Sequence, residues 1–433
     1  MLKLTLTCGF SVYINMNMYK HRLLEGTLQS PASKNKVRMI FGARQTGKTS
    51  LLRHLAGDKS WGFFNLQDRS LRLAWEADPA AFTAEIRALS SHVRHVVVDE
   101  IQKVPPLLDE IQALYDEDSR RFQFYLTGSS ARRLRSHSAN LLPGRSHVFH
   151  LHPLIRSEMT QRMSSSPFIL PTKAPATNFL LLKSEDSFCD WSLEEELLFG
   201  ALPGIRLESP LSRVRTLMTY VENYLEEEIR REALVRDVGA FSNFLRLAAI
   251  ESGRIINLAK LSQESGIAAA TLKNFYLVLQ DTFVGFVLHA YSRSPRRRLL
   301  TTPRFYFFDL GVRNAAARIP MESGVLAIEG GPLLEHWVGL ELMRRAQYAG
   351  AGFGLSFWRT VDGAEVDFVW QTSREDIPIE VKWTIHPTAS DARHLRTFLD
   401  LHRARSRRAF LVCRCRAPMD LGSHVTAIPW SHL

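Results

Sequence analysis

The apolar run VRMIF (37–41) passes directly into GARQTGKT (42–49), and this into a stretch with leucines at 51, 52 and 55 that stops at Gly57. No other segment constrains the fold as tightly. The run predicts a buried strand, and the leucine spacing predicts an amphipathic helix with a glycine stop. The residues between them satisfy G-x-x-x-x-G-K-[ST], with Gly42, Gly47, Lys48 and Thr49 in the required places. Glycines there let backbone N–H groups wrap an oxyanion, and the helix N-terminus adds positive potential. Gly42, Ala43, Arg44, Gln45, Thr46, Gly47, Lys48, Thr49 and Ser50 are therefore the expected cradle for the phosphates of ATP. Lys48 is expected on the β- and γ-phosphates, and the Thr49 hydroxyl on Mg2+.

Three further β-rich runs follow: WGFFNL (61–66), HVVVDE (95–100) and RFQFYLTG (121–128). Alternating with helical stretches, they predict a parallel α/β sheet. HVVVDE ends in Asp99, expected on Mg2+ through its water shell, and Glu100, expected to polarise the attacking water. FQFYLTGSS delivers Thr127 and Ser129 toward the γ-phosphate, where a hydroxyl can sense phosphate or position water; the alternative is an N-cap at Ser129 or Ser130 for a helix over ARRLRS. NLLPGR places Arg145 before another apolar run. In a homo-oligomer, Arg145 could reach a neighbour's γ-phosphate; the alternative is an ordinary ion pair.

GARQTGKT, VVVDEIQKVP, FYLTGSSARRL with NLLPGR, and the downstream FYFFDLGVRNA together resemble a large group of bacterial and archaeal AAA-type ATPases. Members of that group carry a C-terminal domain of unknown function with a restriction-endonuclease-like fold. The likeness covers roughly residues 19–400 and implies an ATPase sheet with Asp99, Glu100, Thr127 and Arg145 in the roles above. It supplies no biological process. Arg213 and Arg215 are weak matches to a lid-side sensor arginine.

Charge adds a partner class. Lys+Arg 55 against Asp+Glu 44 leaves +11, which favours a polyanion such as DNA over an acidic partner. No apolar run approaches the ~18 residues of a membrane span. Four scattered cysteines (Cys8, Cys189, Cys413 and Cys415) make no disulfide framework, and a reducing cytoplasm fits them. Cys413 and Cys415 read as buried thiols. Residues 1–18 carry no expected role, since Met16 and Met18 offer later starts.

A Ser- and Pro-rich stretch (164–175) predicts a linker or loop, and VENYLEEEIRREALVRD (221–237) a solvated helix. INLAKLSQESGIAAATLKNFYLVLQ reads as helix, turn at Gly266, and second helix, resembling a winged helix. Thr271, Lys273 and Asn274 would begin its recognition helix. Arg293, Arg296, Arg297 and Arg298 in SRSPRRR would form a basic wing that meets phosphates. Farther on, FWRTVDGAEVDFVW predicts a hairpin and PIEVKW a further strand. Asp367 and Glu380 on neighbouring strands, with Glu335 from the preceding helix, could share a divalent metal, and Lys382 could activate water. This is the D…E-x-K pattern of restriction-endonuclease-like folds.

The expected fold is α/β: a P-loop AAA-type parallel sheet (19–190), a helical and winged-helix module (191–325), and a restriction-endonuclease-like α/β domain (326–433). The expected function is ATP hydrolysis, with Mg2+, driving a switch that acts on DNA. The alternatives are a signalling ATPase whose C-terminal modules bind protein, and an ATPase-regulated, metal-dependent nuclease.

Overall fold

The computed structural model describes residues 19–31, 35–57, 60–130, 142–160, 191–225, 237–292, 294, 296, 301–350 and 352–433. The 164–175 linker, residues 226–236 of the charged helix, and Arg293, Arg297 and Arg298 lie outside them, as do residues 1–18. Among the described residues no helix is long and apolar enough to cross a membrane.

The first sheet is parallel, five-stranded and ordered β2-β3-β4-β1-β5. Its strands are β1 (Val37–Phe41), β2 (Trp61–Asn65), β3 (His95–Asp99), β4 (Gln123–Gly128) and β5 (Ser146–His150). The central strands β1, β3 and β4 are almost wholly buried, which is why they read as near-continuous apolar runs, broken in β1 by the buried Arg38, rather than as alternating ones. Two clusters cover the faces. Met39, Phe41, Val98 and Leu126 join one, and Ile40, Val97 and Tyr125 join the other. Around the sheet lie α1 (Leu24–Gln29), α2 (Lys48–Ala56), α3 (Arg69–Ala77), α4 (Pro79–Arg87) and α5 (Leu107–Glu117). A short turn of helix, α6 (Arg156–Met159), leads out of the sheet.

The helical region comprises α7 (Leu193–Phe199), α8 (Pro203–Arg206), α9 (Pro210–Thr219), α10 (Val238–Ile250), α11 (Leu258–Ser265) and α12 (Ala269–Asp281). Gly266 takes the left-handed conformation that ends α11. An antiparallel pair follows, β6 (Gly285–Leu288) with β7 (Arg304–Phe307). Next comes α13 (Leu310–Ala317), every residue of which is buried. This helix explains FYFFDLGVRNA. Asp309 accepts from Ala201 N and Val312 N, Asn314 donates to the carbonyls of Leu197 and Leu198, and Arg313 to that of Ala249. The motif is an internal brace.

The last region opens with α14 (Leu326–Ala349) and forms a separate mixed sheet ordered β12-β13-β11-β10-β9-β8. Its strands are β8 (Gly354–Arg359), β9 (Glu365–Gln371), β10 (Asp376–Val381), β11 (Ala409–Cys413), β12 (Met419–Asp420) and β13 (Val425–Pro429), with α15 (Arg393–Leu401) between β10 and β11. One continuous apolar core runs from α7 through α12, α13 and α14 to one face of this sheet. The opposite face packs beneath Leu395 and Phe398 of α15. The helical region and mixed sheet therefore share a core, whereas the parallel sheet keeps its own. The chain after β6 also extends the β8 edge, through Tyr291 N to Phe357 O and Phe357 N to His289 O.

Candidate nucleotide site and a second acidic centre

The phosphate loop leaves the C-terminal end of β1, where a parallel sheet opens its crevice. Gly42 lies against Leu151, and a Cβ there would sit 2.2 Å from that residue's carbonyl oxygen. Gly47 has φ of +94°, a conformation only glycine holds without strain, and leads into α2. Lys48 Nζ donates to the carbonyls of Gly42 (2.8 Å) and Ala43 (2.9 Å), inside the loop. Thr46 is buried and donates to Ala43 O.

Thr49 Oγ1 donates to Asp99 Oδ2 at 2.8 Å, so the two predicted Mg2+ ligands meet. Thr127 is fully buried behind Asp99; its hydroxyl donates to Asp99 Oδ1 and accepts from Glu100 N. That position secures Asp99 rather than facing the cavity. Glu100 stands at φ of +64° and is buried, with its carboxylate held by Gln102 Nε2 and Ser129 Oγ (3.1 Å). Arg145 immediately precedes β5, at the end of the sheet opposite the loop, and forms a two-bond ion pair with Asp116.

A cavity of about 490 Å³ joins the loop to the helical region. Arg44, Gln45, Lys48, Thr49 and Glu100 line one wall, and Pro203, Ile205, Glu208 and Thr216 the other. Thr216 Oγ1 donates to Glu208 Oε2, and Tyr220 OH donates to Arg44 O. Arg213 turns away, onto Glu195 and the Trp191 ring, and Arg215 is exposed outside the cavity lining. Sequence reading missed Gln102, the 203–216 wall and Arg22, whose guanidinium braces the loop through Thr46 O and pairs with Glu158. None of these carries a spacing signal.

The C-terminal acids also meet. A bulge sets one more residue of β9 against β8, between the pairs Trp358–Val366 and Ser356–Val369. Val366 and Val369 therefore join one core and Phe368 and Trp370 the other, and Asp367 falls at the break in alternation. Asp367 Oδ2 accepts from Val381 N (2.8 Å), and Lys382 Nζ lies 2.7 Å from Glu380 Oε1. Burial, then the neighbouring Asp367, pushes Glu335 up to about 7 and Glu380 up to about 8. Burial also raises Asp367. Burial opposes the charge on Lys382, but Glu380 holds its ammonium above the ordinary range. A missed residue dominates here. Arg304 of β7 bonds Glu335 Oε1 (2.9 Å) and Glu365, while Tyr306 OH donates to Glu335.

Among the predicted DNA-contacting residues, Lys273 and Asn274 are exposed on α12, Thr271 is half-buried, and Arg296 is exposed. Cys413 and Cys415 are buried.

Comparison with known proteins follows the same three divisions. Residues 190–323 match a domain of unknown function (DUF8612), and residues 330–433 match another (DUF4143). The chain is 23% identical over 398 residues to the uncharacterized protein Rv2008c of Mycobacterium tuberculosis, spanning 90% of this chain and 80% of that protein. It is 22% identical over 337 residues to the uncharacterized protein MJ1544 of Methanocaldococcus jannaschii, spanning 75% and 70%. Among solved structures, the Walker-type ATPase PABY2304 of Pyrococcus abyssi is similar at 15% identity and a TM-score of 0.45, over 69% of this chain and 95% of that one. Residues 34–160 match the family model of the AAA domain, and this match coincides with the five-stranded parallel sheet and phosphate loop described above.

Proposed function

We propose that the chain hydrolyses Mg-ATP between the phosphate loop and the 203–216 wall, and that this drives a switch acting on DNA. One observation carries the proposal: the nucleotide-sized cavity has one wall on each of two separately cored units. A nucleotide there touches both, so loss of its γ-phosphate changes their mutual contacts. Lys48 binds phosphate oxygens. Thr49 and Asp99 hold Mg2+, which neutralises phosphate charge when bound. Glu100 orients water. Arg145 stands at the wrong end of its own sheet, so its contact with a γ-phosphate requires a second copy of the chain.

The case for DNA rests on the +11 charge, the open face of α12 and the basic stretch before β7. Three helices followed by a hairpin support the winged-helix reading. The test is the ATPase rate with and without duplex DNA, together with DNA binding over a salt series. Stimulation, and affinity that falls with salt, support the proposal. An unchanged rate without salt-sensitive binding would shift the assignment to a signalling ATPase with protein partners.

A second reading, metal-dependent cleavage by the C-terminal domain, is favoured by Glu380 Oε2, which is buried with no hydrogen-bond partner among the described residues. Together with Asp367 and Glu335, it offers hard oxygen ligands for Mg2+ or Mn2+. Plasmid cleavage across metals tests this, with Asp367→Ala as the knockout and Lys48→Ala as the control. No cleavage by wild type under any metal would remove it.

A further inference from the structure

Away from both centres, three side chains converge where the N-terminal segment crosses α2. His21 precedes α1, Glu25 lies four residues on in its first turn, and His54 lies in the last turn of α2. Their ligating atoms all lie within 4.8 Å of one another. His21 Nδ1 is 3.1 Å, and His54 Nε2 3.9 Å, from the same oxygen, Glu25 Oε2. Tetrahedral coordination with bonds of about 2.0–2.1 Å puts ligand atoms about 3.3–3.4 Å apart. The two distances to Glu25 Oε2 bracket that value.

The surroundings fix the donors. Glu25 Oε1 accepts from Tyr19 OH (2.8 Å) and from Arg22 N (2.6 Å), which leaves Oε2 turned toward both imidazoles. Outer hydrogen bonds of this kind orient a metal-ligating carboxylate. The His54 ring stacks on Tyr19 at 4.0 Å, and His21 stands edge-on to His54 at 5.1 Å. The His21 side chain is 65% exposed and that of His54 36%, so an ion can enter from solvent.

We propose that His21, His54 and Glu25 form a binding site for a borderline divalent transition ion, Zn2+ above all, with water completing its shell. Two imidazoles and a carboxylate suit Zn2+ over Mg2+ or Ca2+, which prefer all-oxygen shells. The consequence is mechanical. The ion ties the segment carrying Arg22 to α2, and Arg22 braces the phosphate loop through Thr46 O. A metal on the outer surface thus rigidifies the loop without touching the nucleotide cavity.

The test is titration of Zn2+ into the full-length protein in excess Mg2+, followed by calorimetry. Co2+ serves as a second probe, read by the visible absorption of its tetrahedral complexes. Wild type should bind one ion at this site and gain thermal stability with it. His21→Ala and His54→Ala should each weaken binding by more than the roughly 10- to 100-fold that loss of an outer-shell partner costs. They should also remove the Co2+ band, and the double variant should lose the Zn2+-dependent rise in Tm. Both histidines are solvent-facing, so unchanged Tm without metal verifies folding. His92→Ala, at an exposed histidine outside the cluster, should bind as wild type does, which separates this site from uptake by any surface histidine. The proposal is overturned if wild type takes up no Zn2+, or if the double variant binds it as tightly.

Discussion

The two acidic centres of this chain are built in opposite ways. At the phosphate loop, Asp99 and Glu100 are buried against neutral donors: the hydroxyls of Thr49, Thr127 and Ser129, and the Gln102 amide. In the C-terminal domain, Glu335, Glu365 and Glu380 face the cations of Arg304 and Lys382. A neutral donor orients a carboxylate without cancelling its charge, so the potential stays available to an incoming cation. An arginine cancels it from within. The first arrangement suits a site that changes occupant during a cycle. The second suits a junction, and Arg304 comes from the hairpin that precedes the domain holding its partners.

The sharpest break between the two centres is catalytic. Glu100→Gln should leave ATP binding intact and slow turnover by about 10²- to 10⁴-fold, the usual worth of a positioned base. Lys48→Ala should remove tight binding itself, because its ammonium meets the phosphates of the ground state. The equivalent change in the other centre, Glu380→Gln, should leave hydrolysis untouched. Calorimetry and phosphate release on the three variants decide it, and wild-type turnover by the Glu100 variant would remove that residue from the mechanism.

The second break is in stability. Arg304→Met strands Glu335 and leaves Glu365 only its longer pairing with Arg359 (3.6 Å), and stranding a fully buried partner costs about 3–5 kcal/mol. The side chains of Glu335 and Glu365 are 28% and 32% exposed, which places the loss near the lower end. Urea unfolding measures it. A loss below about 1 kcal/mol would mean that Arg304 is an ordinary surface pairing.

Proton linkage sharpens the same contrast. Glu335 and Glu380 are pushed up from an ordinary 4.5 to about 7 and about 8. An acid with a raised folded pKa supports the fold while protonated, and that support is lost as pH rises through the folded value. Between 4.5 and about 8 the two acids should therefore lower Tm as pH increases. Burial holds His336 neutral, with a pKa lowered to about 3, which opposes the trend on the acid side in every variant. The informative quantity is thus wild type minus the Glu335→Gln/Glu380→Gln double variant, and it should fall with pH. A difference that is flat or rising contradicts the burial argument.

The parallel sheet was legible because its central strands are buried on both faces and its loop must be rich in glycine; both leave marks on adjacent residues. Asp99, Glu100 and Thr49 were legible for the same reason. The 203–216 wall was not, since its residues reach the cavity only through the packing of α7, α8 and α9. Arg304 was invisible for a related reason: it reads as the end of a basic stretch, and only the pairing of β6 with β7 turns it inward. Glu335, Asp367, Glu380 and Lys382 could be named from residue type and strand neighbourhood, but the bulge that sets Asp367 out of alternation has no sequence signature. FYFFDLGVRNA was conspicuous in sequence, yet its polar residues brace α13 against α7 and α10.

The smallest expected effect tests the neutral-donor half of the comparison. Gln102 Nε2 donates to Glu100 Oε2 and, at 3.1 Å, to Ser129 Oγ, while its own carbonyl oxygen is buried without a partner among the described residues. On the role proposed for Glu100, Gln102 is a positioning residue that acts on water only through that carboxylate. Gln102→Ala removes one hydrogen bond to a charged group, worth about 1.5–3 kcal/mol. Ser129 still holds the same carboxylate oxygen, so the loss in the transition state should be smaller, near 1.4 kcal/mol, or about tenfold in kcat. KM for ATP should not move, because Gln102 does not line the cavity. Gln102→Asn keeps the amide on a shorter arm and should recover only part of the rate. A merely structural role would instead lower Tm and raise KM together while sparing kcat, and that pattern would place Gln102 in the core rather than in the catalytic arrangement.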